Sequence, residues 1–346
     1  MKTTRGLREA TGLFILQMED VFMHRTALLI VLVVAAAACG SGEGGDTTTS
    51  LPSSTTVADN TTTQPETTST VSTGFPVSVT DANGEVTIES EPQGIVSLSS
   101  TGTEMLFAIG AGDQVVAVDE FSVYPEEAPI TELSGFTPDL EAILEYEPDL
   151  VVISYDPGEL VSGLSAVGVS SLLLPTAASL DDSYAQIEVL GAATGHIGDA
   201  AEVISEMQTG IDSILAATTV PAEVSFYHEV DSTLYSASSS SFLGQIYALL
   251  GMENIADEAD PDGFGFPQLA SEYVVSADPD LIFLADTSMG VTPESLAERP
   301  GWAEMTAVQG GAIAVLDEYL ASNWGPRVVE LLESIADAVA ELVPAA

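Results

Sequence analysis

Aromatic side chains recur where short apolar runs give way to loops: Phe121 and Tyr124, Phe136, Tyr155, Tyr235, Phe264 with Phe266, and Trp324. Rings at such places suit the non-covalent capture of a large planar or amphiphilic guest, because they offer contact area at low entropic cost. Ionic chemistry is limited by supply. The 346 residues hold 6 Lys+Arg against 53 Asp+Glu, a formal net charge of −47. Lys2, Arg5, Arg8 and Arg25 all precede Cys39, which leaves Arg299, Arg327 and no lysine beyond it. Binding of nucleic acid by phosphate neutralisation is thereby excluded. So is chemistry that needs a lysine, such as a P-loop or a Schiff base. Both arginines are expected to be tied by carboxylates, and Arg327 is also a candidate ligand contact.

Other reactive signals are weak. After Cys39 the only histidines are His196 and His228, too few for a multi-histidine zinc or manganese site. His228, beside Glu229, could be an axial haem ligand, as could Tyr155 or Tyr235. Glu258-x-Asp260-x-Asp262-Gly263 imitates the start of a calcium loop, but the position of the closing glutamate is Leu269. No Gly-x-Ser-x-Gly elbow occurs and no nucleophile–base pair stands out, so an enzyme is not expected and neither is a cofactor. Gly110-Ala-Gly112 is a turn, lacking the strand-first order of a dinucleotide site.

The elements that must carry these residues alternate. Val77–Ile88 is apolar and polar by turns around Asn83-Gly84, a hairpin signal. Ile95–Leu98, Val115–Val118, Leu150–Ile153 and Val169–Leu174 read as buried strands, with helices at Glu104–Ile109, Leu140–Tyr146 and Glu159–Val167. A helical stretch from Leu180 to Ala217 follows, weakened near Gly191, Gly195 and Gly198, so one bent helix or two are both consistent with it. Strands at Val224–Tyr227, Leu281–Leu284 and Ile313–Leu316 then alternate with helices at Phe242–Leu250, Leu269–Val275 and Val328–Leu342. The fold class is α/β: two three-layer lobes joined by a long backbone helix, with a cleft between them. An internal echo supports this. Glu141-x6-Pro148-Asp149 before one strand matches Glu272-x6-Pro279-Asp280 before another, each glutamate in a first helical turn, where the macrodipole favours it.

The amino-terminal part reads differently. Thr26–Ala38 is apolar, too short to span a bilayer, and follows His24-Arg25, which is a signal-peptide layout. With Cys39 directly after Ala36-Ala-Ala it resembles a bacterial lipoprotein signal, although that class usually has Leu where Ala36 stands. The resemblance implies cleavage before Cys39 and lipidation of its sulfur. Met23 would give a compact signal, so residues 1–22 read as an over-extended start. The expected organisation is a signal peptide over 1–38 and a lipidated cysteine with a Gly/Ser/Thr-rich disordered tether over 39–74. An N-terminal lobe over 75–180, a connecting helix over 181–219 and a C-terminal lobe over 220–346 complete it. The acidic excess suggests a saline or cation-rich habitat.

Gly94-Ile-Val-Ser-Leu-Ser-Ser-Thr-Gly-Thr-Glu-Met-Leu-Phe-Ala-Ile-Gly110, Tyr124-Pro-Glu-Glu-Ala128, and Leu140-Glu141 through Pro148-Asp149-Leu150 together resemble the iron-siderophore and vitamin B12 binding proteins of bacterial ABC importers. Gly251-Met-Glu-Asn-Ile255, Arg299-Pro-Gly-Trp302 and Gly325-Pro-Arg327 extend the likeness to about Leu342. The resemblance implies a non-enzymatic, extracytoplasmic, lipid-anchored receptor, expected to be a monomer, that passes a ferric siderophore or corrinoid to a permease and its ATPase. It implies that Glu141 and Glu272 dock onto permease arginines. It also implies that Phe121, Phe136, Tyr155, Tyr235 and Phe266 fall near positions that hold a corrin ring. Tyr124, Trp324 and Arg327 complete the candidate ligand set. An anionic ferric catecholate would meet unfavourable long-range steering, so a hydroxamate complex or corrinoid is easier. Three alternatives stay open: a haem receptor of the same fold, a cell-surface hydrolase using the cleft, and a sensor that no longer transports.

Overall fold

The computed structural model describes residues 74–342, residue 222 apart, so the expectations for the signal, Cys39 and the tether lie outside the described residues. β1 (Val77–Asp81) and β2 (Gly84–Ile88) form the antiparallel hairpin, with Val77 opposite Ile88 and Asp81 opposite Gly84. Asp81 Oδ1 accepts from the Asn83 and Gly84 amides, which builds the turn. Gly84 has φ +126°, a conformation side chains rarely adopt.

The next elements are β3 (Ile95–Leu98), α1 (Ser100–Ala108), β4 (Val115–Val118), α2 (Leu140–Leu144), β5 (Leu150–Ile153), α3 (Leu160–Ala166) and β6 (Ser170–Leu173). The four strands form a parallel sheet in the order β4-β3-β5-β6. Every residue of β3 and β5 is buried, as strands covered on both faces must be. Val96, Leu98, Val151 and Ile153 pack on one face against Ile143, Leu160 and Leu164, while Ile95, Leu150 and Val152 join the larger core on the other. α1 begins four residues earlier than its apolar pattern suggests. Ser99 accepts a hydrogen bond from the Gly102 amide and so caps a first turn of weak helix formers.

α4 (Leu180–Thr194) and α5 (Ile197–Ala217) are two helices, divided at Gly195, whose φ of +86° ends the first. A Cβ on Gly191 would lie 2.4 Å from the Ala200 Cβ, so the helices meet closely and glycine is required there. Only α5, 21 residues or about 32 Å long, is the connecting helix. A Cβ on Gly210 would meet Val329 at 2.7 Å, which marks its contact with the last helix.

The second half runs β7 (Ser225–Glu229), α6 (Phe242–Leu249), β8 (Glu253–Asn254), α7 (Ser271–Ala277), β9 (Leu281–Leu284), α8 (Pro293–Leu296), α9 (Thr306–Gly310), β10 (Ile313–Val315), α10 (Glu318–Ser322) and α11 (Val328–Leu342). Its sheet, again parallel, has the order β8-β7-β9-β10. The two sheets share one topology: β7 stands where β3 does, β9 where β5 does. The echo is structural as well. Asp149 Oδ2 accepts from the Gln93 and Gly94 amides before β3, and Asp280 Oδ2 accepts from the amide and hydroxyl of Ser225 at β7.

Candidate functional site

The lobes meet beyond the carboxyl ends of their strands. Asn323, after α10, accepts at Oδ1 from the hydroxyls of Ser100 (2.8 Å) and Thr101 (3.0 Å), which open α1 immediately after β3. The Gln245 side chain, on the helix after β7, donates to the carbonyl of Ala178 after β6. Both bridges join segments that leave strand ends, so the two carboxyl edges share one junction. In parallel α/β sheets that edge is where ligands collect.

On the N-terminal side a buried polar chain sets the rings. Asp119, at the end of β4, accepts from the Ser122 hydroxyl (2.7 Å) and the Phe121 amide (3.2 Å). The Thr103 hydroxyl lies within hydrogen-bond reach of both Ser122 and Ser97. Burial pushes Asp119 up to about 6, although these hydrogen bonds oppose the shift. Above it Phe121 meets Phe136 edge to face, ring centroids 5.3 Å apart, and both are half-buried. Tyr155, also half-buried, follows β5, and Tyr124 is 44% exposed.

On the C-terminal side two loops run alongside each other. The Ser236 amide donates to the Pro267 carbonyl, the Ser238 amide to that of Gly265, and Tyr235 bridges Gln268 in antiparallel fashion. This brings half-buried Tyr235 and Phe266 onto neighbouring strands of one ribbon. Asp260 locks the ribbon by accepting from the Ser238 hydroxyl and from the Phe264 and Gly265 amides. The acidic stretch that imitates a calcium loop is therefore a turn. Its central carboxylate is occupied by the chain itself.

Two expectations change, for Trp324 and His228, while Arg327 is tied by carboxylates as expected. Trp324 is only 6% exposed, packs in the core and donates from Nε1 to Gln186 Oε1 at 2.8 Å, so it offers little ring to a guest. His228 is buried inside the second lobe, with Nδ1 2.8 Å from the Tyr247 hydroxyl. Burial drives it down to about 3, which leaves a neutral core histidine that cannot reach an axial position on haem. Arg327 is held by Glu104 Oε1 (3.4 Å) and Glu330 Oε2 (3.3 Å), and its guanidinium lies 4.0 Å from the Tyr124 ring centroid.

Arg299 is more tightly bound. Its two terminal nitrogens donate to the two oxygens of buried Glu229 at 2.6 Å each, and it stacks on Trp302. Asp286, fully buried after β9, accepts no hydrogen bond on either oxygen among the described residues, and in its protonated form it donates to Glu229. Burial first, and the charge of Glu229 second, raise it to about 8. Two recesses lie elsewhere: about 190 Å³ beside Gly110 and Glu202, and about 380 Å³ between the hairpin and β6.

Glu141 and Glu272 occupy the second position of α2 and α7, and both are exposed. Sequence reasoning missed Asp119, Glu104 and Asn323. Each is a polar residue whose partners lie far along the chain or on a loop, and only the fold brings them together.

Two like-wound parallel α/β lobes on one connecting helix, each with half-buried rings after its strands, give the chain a bilobal architecture. The chain belongs to the periplasmic binding protein family, whose match spans residues 95–320. It is 30% identical over 276 residues to an uncharacterized ABC transporter substrate-binding lipoprotein of Bacillus subtilis, covering 77% of this chain and 86% of that one. A cobalamin-binding protein of Halobacterium salinarum is 29% identical over 283 residues, covering 76% of this chain and 74% of the relative. Among solved structures, a periplasmic heme-binding protein of Roseiflexus superposes with a TM-score of 0.63 at 24% identity, over 73% of this chain and 99% of that one.

Proposed function

We propose that this chain is the extracytoplasmic receptor of an ABC importer, anchored through Cys39, and that it captures a corrinoid or an uncharged ferric chelate between its lobes. The observation that carries the ligand class is the pairing of aromatic walls with tied cations. Half-buried Phe121, Phe136 and Tyr155 follow strands of one lobe and half-buried Tyr235 and Phe266 lie on a ribbon of the other, while both arginines of the described residues are already engaged by buried carboxylates. An anionic guest would find no free cation among the described residues, whereas an amide-rich macrocycle can lie against the rings. The name of the Halobacterium relative supports the corrinoid reading. Glu141 and Glu272, one on each lobe, then serve as docking points for permease arginines, where ion pairs set orientation more than affinity. The receptor acts as a monomer.

A thermal-shift series with cyanocobalamin, a ferric trihydroxamate, a ferric tricatecholate and haem tests this. A ligand at about 100 times its Kd adds about 2.7 kcal/mol of stability. That corresponds to roughly 5–10 °C for a domain of this size. The first two compounds should raise the melting temperature. A response confined to the tricatecholate or to haem would reverse the ligand class.

A further inference from the structure

Glu104 lies on α1 between Thr103 and Met105, is 3% exposed, and reaches across the lobe junction. Its Oε1 accepts from Asn323 Nδ2 at 3.0 Å and from Arg327 Nη1 at 3.4 Å, while Oε2 has no hydrogen-bond partner among the described residues. Gly325 passes so close that an added Cβ would sit 3.1 Å from that oxygen. Stability alone does not call for a carboxylate here, because an apolar side chain of similar size fills such a place at least as well. The two arginines also differ in how they are gripped. Arg299 makes a 2.6 Å bidentate fork, whereas Arg327 has single contacts of 3.3 and 3.4 Å and a ring face at 4.0 Å. Contacts near the limit of hydrogen-bond length hold by charge and stacking, and they release readily.

We propose that Glu104 is a positioning residue for ligand capture: it draws Arg327 of the second lobe into a socket closed by Tyr124 of the first, and this clip fixes the lobe spacing on which the hold on a guest depends. The proposal rests on the ligand cleft of the preceding section. It assigns Arg327 to the protein's own closure rather than to direct contact with the guest. Tyr124 is the shared part, since its ring is 44% exposed toward solvent on one side and covered by the guanidinium on the other. Asn323 adds neutral hydrogen bonds to Ser100 and Thr101, so removing the charge alone should loosen the junction without unfolding it.

Glu104→Gln keeps shape and the acceptor for Asn323, and Arg327→Met keeps the apolar stem. Each is made in the full chain carrying Cys39→Ser, with spin labels on Ser165→Cys in α3 and Ser276→Cys in α7, both exposed positions on different lobes. At pH 8.5, above the value of about 7 to which burial raises Glu104, the expected result is a broader interlobe distance distribution in either variant, and a cyanocobalamin off-rate raised about tenfold with the on-rate little changed. The double variant should be no worse than either single one. Unchanged distances and off-rates, with only the melting temperature lowered, would overturn the proposal. If wild type takes up no cyanocobalamin, the corrinoid reading fails, and the distances alone decide the clip. Broadening supports it and identical distributions sink it.

Discussion

Asp149 and Asp280 perform the same task in the two lobes: each carboxylate follows a proline and ties the start of the neighbouring strand. Asp149 accepts at 2.7 and 3.2 Å from the amides of Gln93 and Gly94, Asp280 at 2.9 Å from both the amide and the hydroxyl of Ser225. In each lobe the strand so tied, β3 or β7, is one of the two inner strands of its sheet. Losing two charge-assisted acceptances at an exposed position costs about 1–2 kcal/mol. Asp149→Ala and Asp280→Ala should therefore each lower the urea midpoint by a similar amount, with an unchanged slope. A large effect in one lobe and none in the other would show that the symmetry is not energetic.

Much of this duplication was legible in the sequence. Glu141 and Glu272, Pro148 and Pro279, Asp149 and Asp280 recur at a constant offset, and the strands after them are uniformly apolar. Uniform burial and abrupt helix stops are local properties, so a linear reading captures them. The candidate site was less legible. Phe121, Phe136, Tyr155, Tyr235 and Phe266 are half-buried at strand ends, but Trp324 has the same composition signal and lies in the core. What separates them is burial in the core, where Gln186 also accepts from the Trp324 indole, and that is set by tertiary packing. Glu104 and Asn323 were invisible for the same reason, since 219 residues separate the hydrogen-bonded partners.

Gly135 illustrates how tightly the first aromatic wall is built. A Cβ there would lie 2.6 Å from the Leu98 carbonyl oxygen and 2.8 Å from Asp119 Oδ2. Neither neighbour can yield, because one is strand backbone and the other is held by Ser122 and the Phe121 amide. Gly135→Ala must displace the loop that carries Phe136 and break its edge contact with Phe121. The expected cost is about 1–3 kcal/mol of stability. Weaker ligand binding should accompany it, read by calorimetry on folded protein. Full affinity in the variant would show that the ring pair does not contact the guest.

Buried acids set the pH dependence. Burial raises Asp119 to about 6, Glu104 to about 7 and Asp286 to about 8. Each holds its proton in the folded chain over a range where the unfolded chain has released it. Stability is therefore fullest below the ordinary carboxylate range and is lost as pH rises through about 6, 7 and 8 in turn. His228 acts oppositely: kept neutral down to about 3, it stabilises above its ordinary value of 6.5 and loses that contribution as pH falls. Asp119 has lost most of its contribution by about pH 6, and His228 stops gaining near 6.5. Glu104 and Asp286 therefore set the slope above that, and melting temperature should decline by several degrees between about pH 6 and 8.5. Salt is held constant, because the net charge of −47 gives a separate screening effect. Asp286→Asn should flatten the uppermost step, and a wild-type curve flat across the whole span would contradict the assignments of Glu104 and Asp286.

The proposed docking can be tested apart from capture because Glu141 and Glu272 lie on the short helices α2 and α7 and are not among the ring residues. Both are exposed second-position residues of α2 and α7, and neither side chain makes a hydrogen bond or ion pair among those described. Reversing their charge therefore disturbs little within the fold, beyond an unfavourable cation near a helix N-terminus worth about 0.3–1 kcal/mol. Across an interface the same change sets like charges opposite one another, which costs several kcal/mol and suppresses association. Glu141→Arg with Glu272→Arg should keep ligand affinity within about twofold of wild type. Uptake by cells or vesicles carrying the cognate importer should fall to background. Partial restoration by arginine-to-glutamate changes in the permease would locate the partner residues, while normal uptake by the double variant would remove these two glutamates from the docking surface.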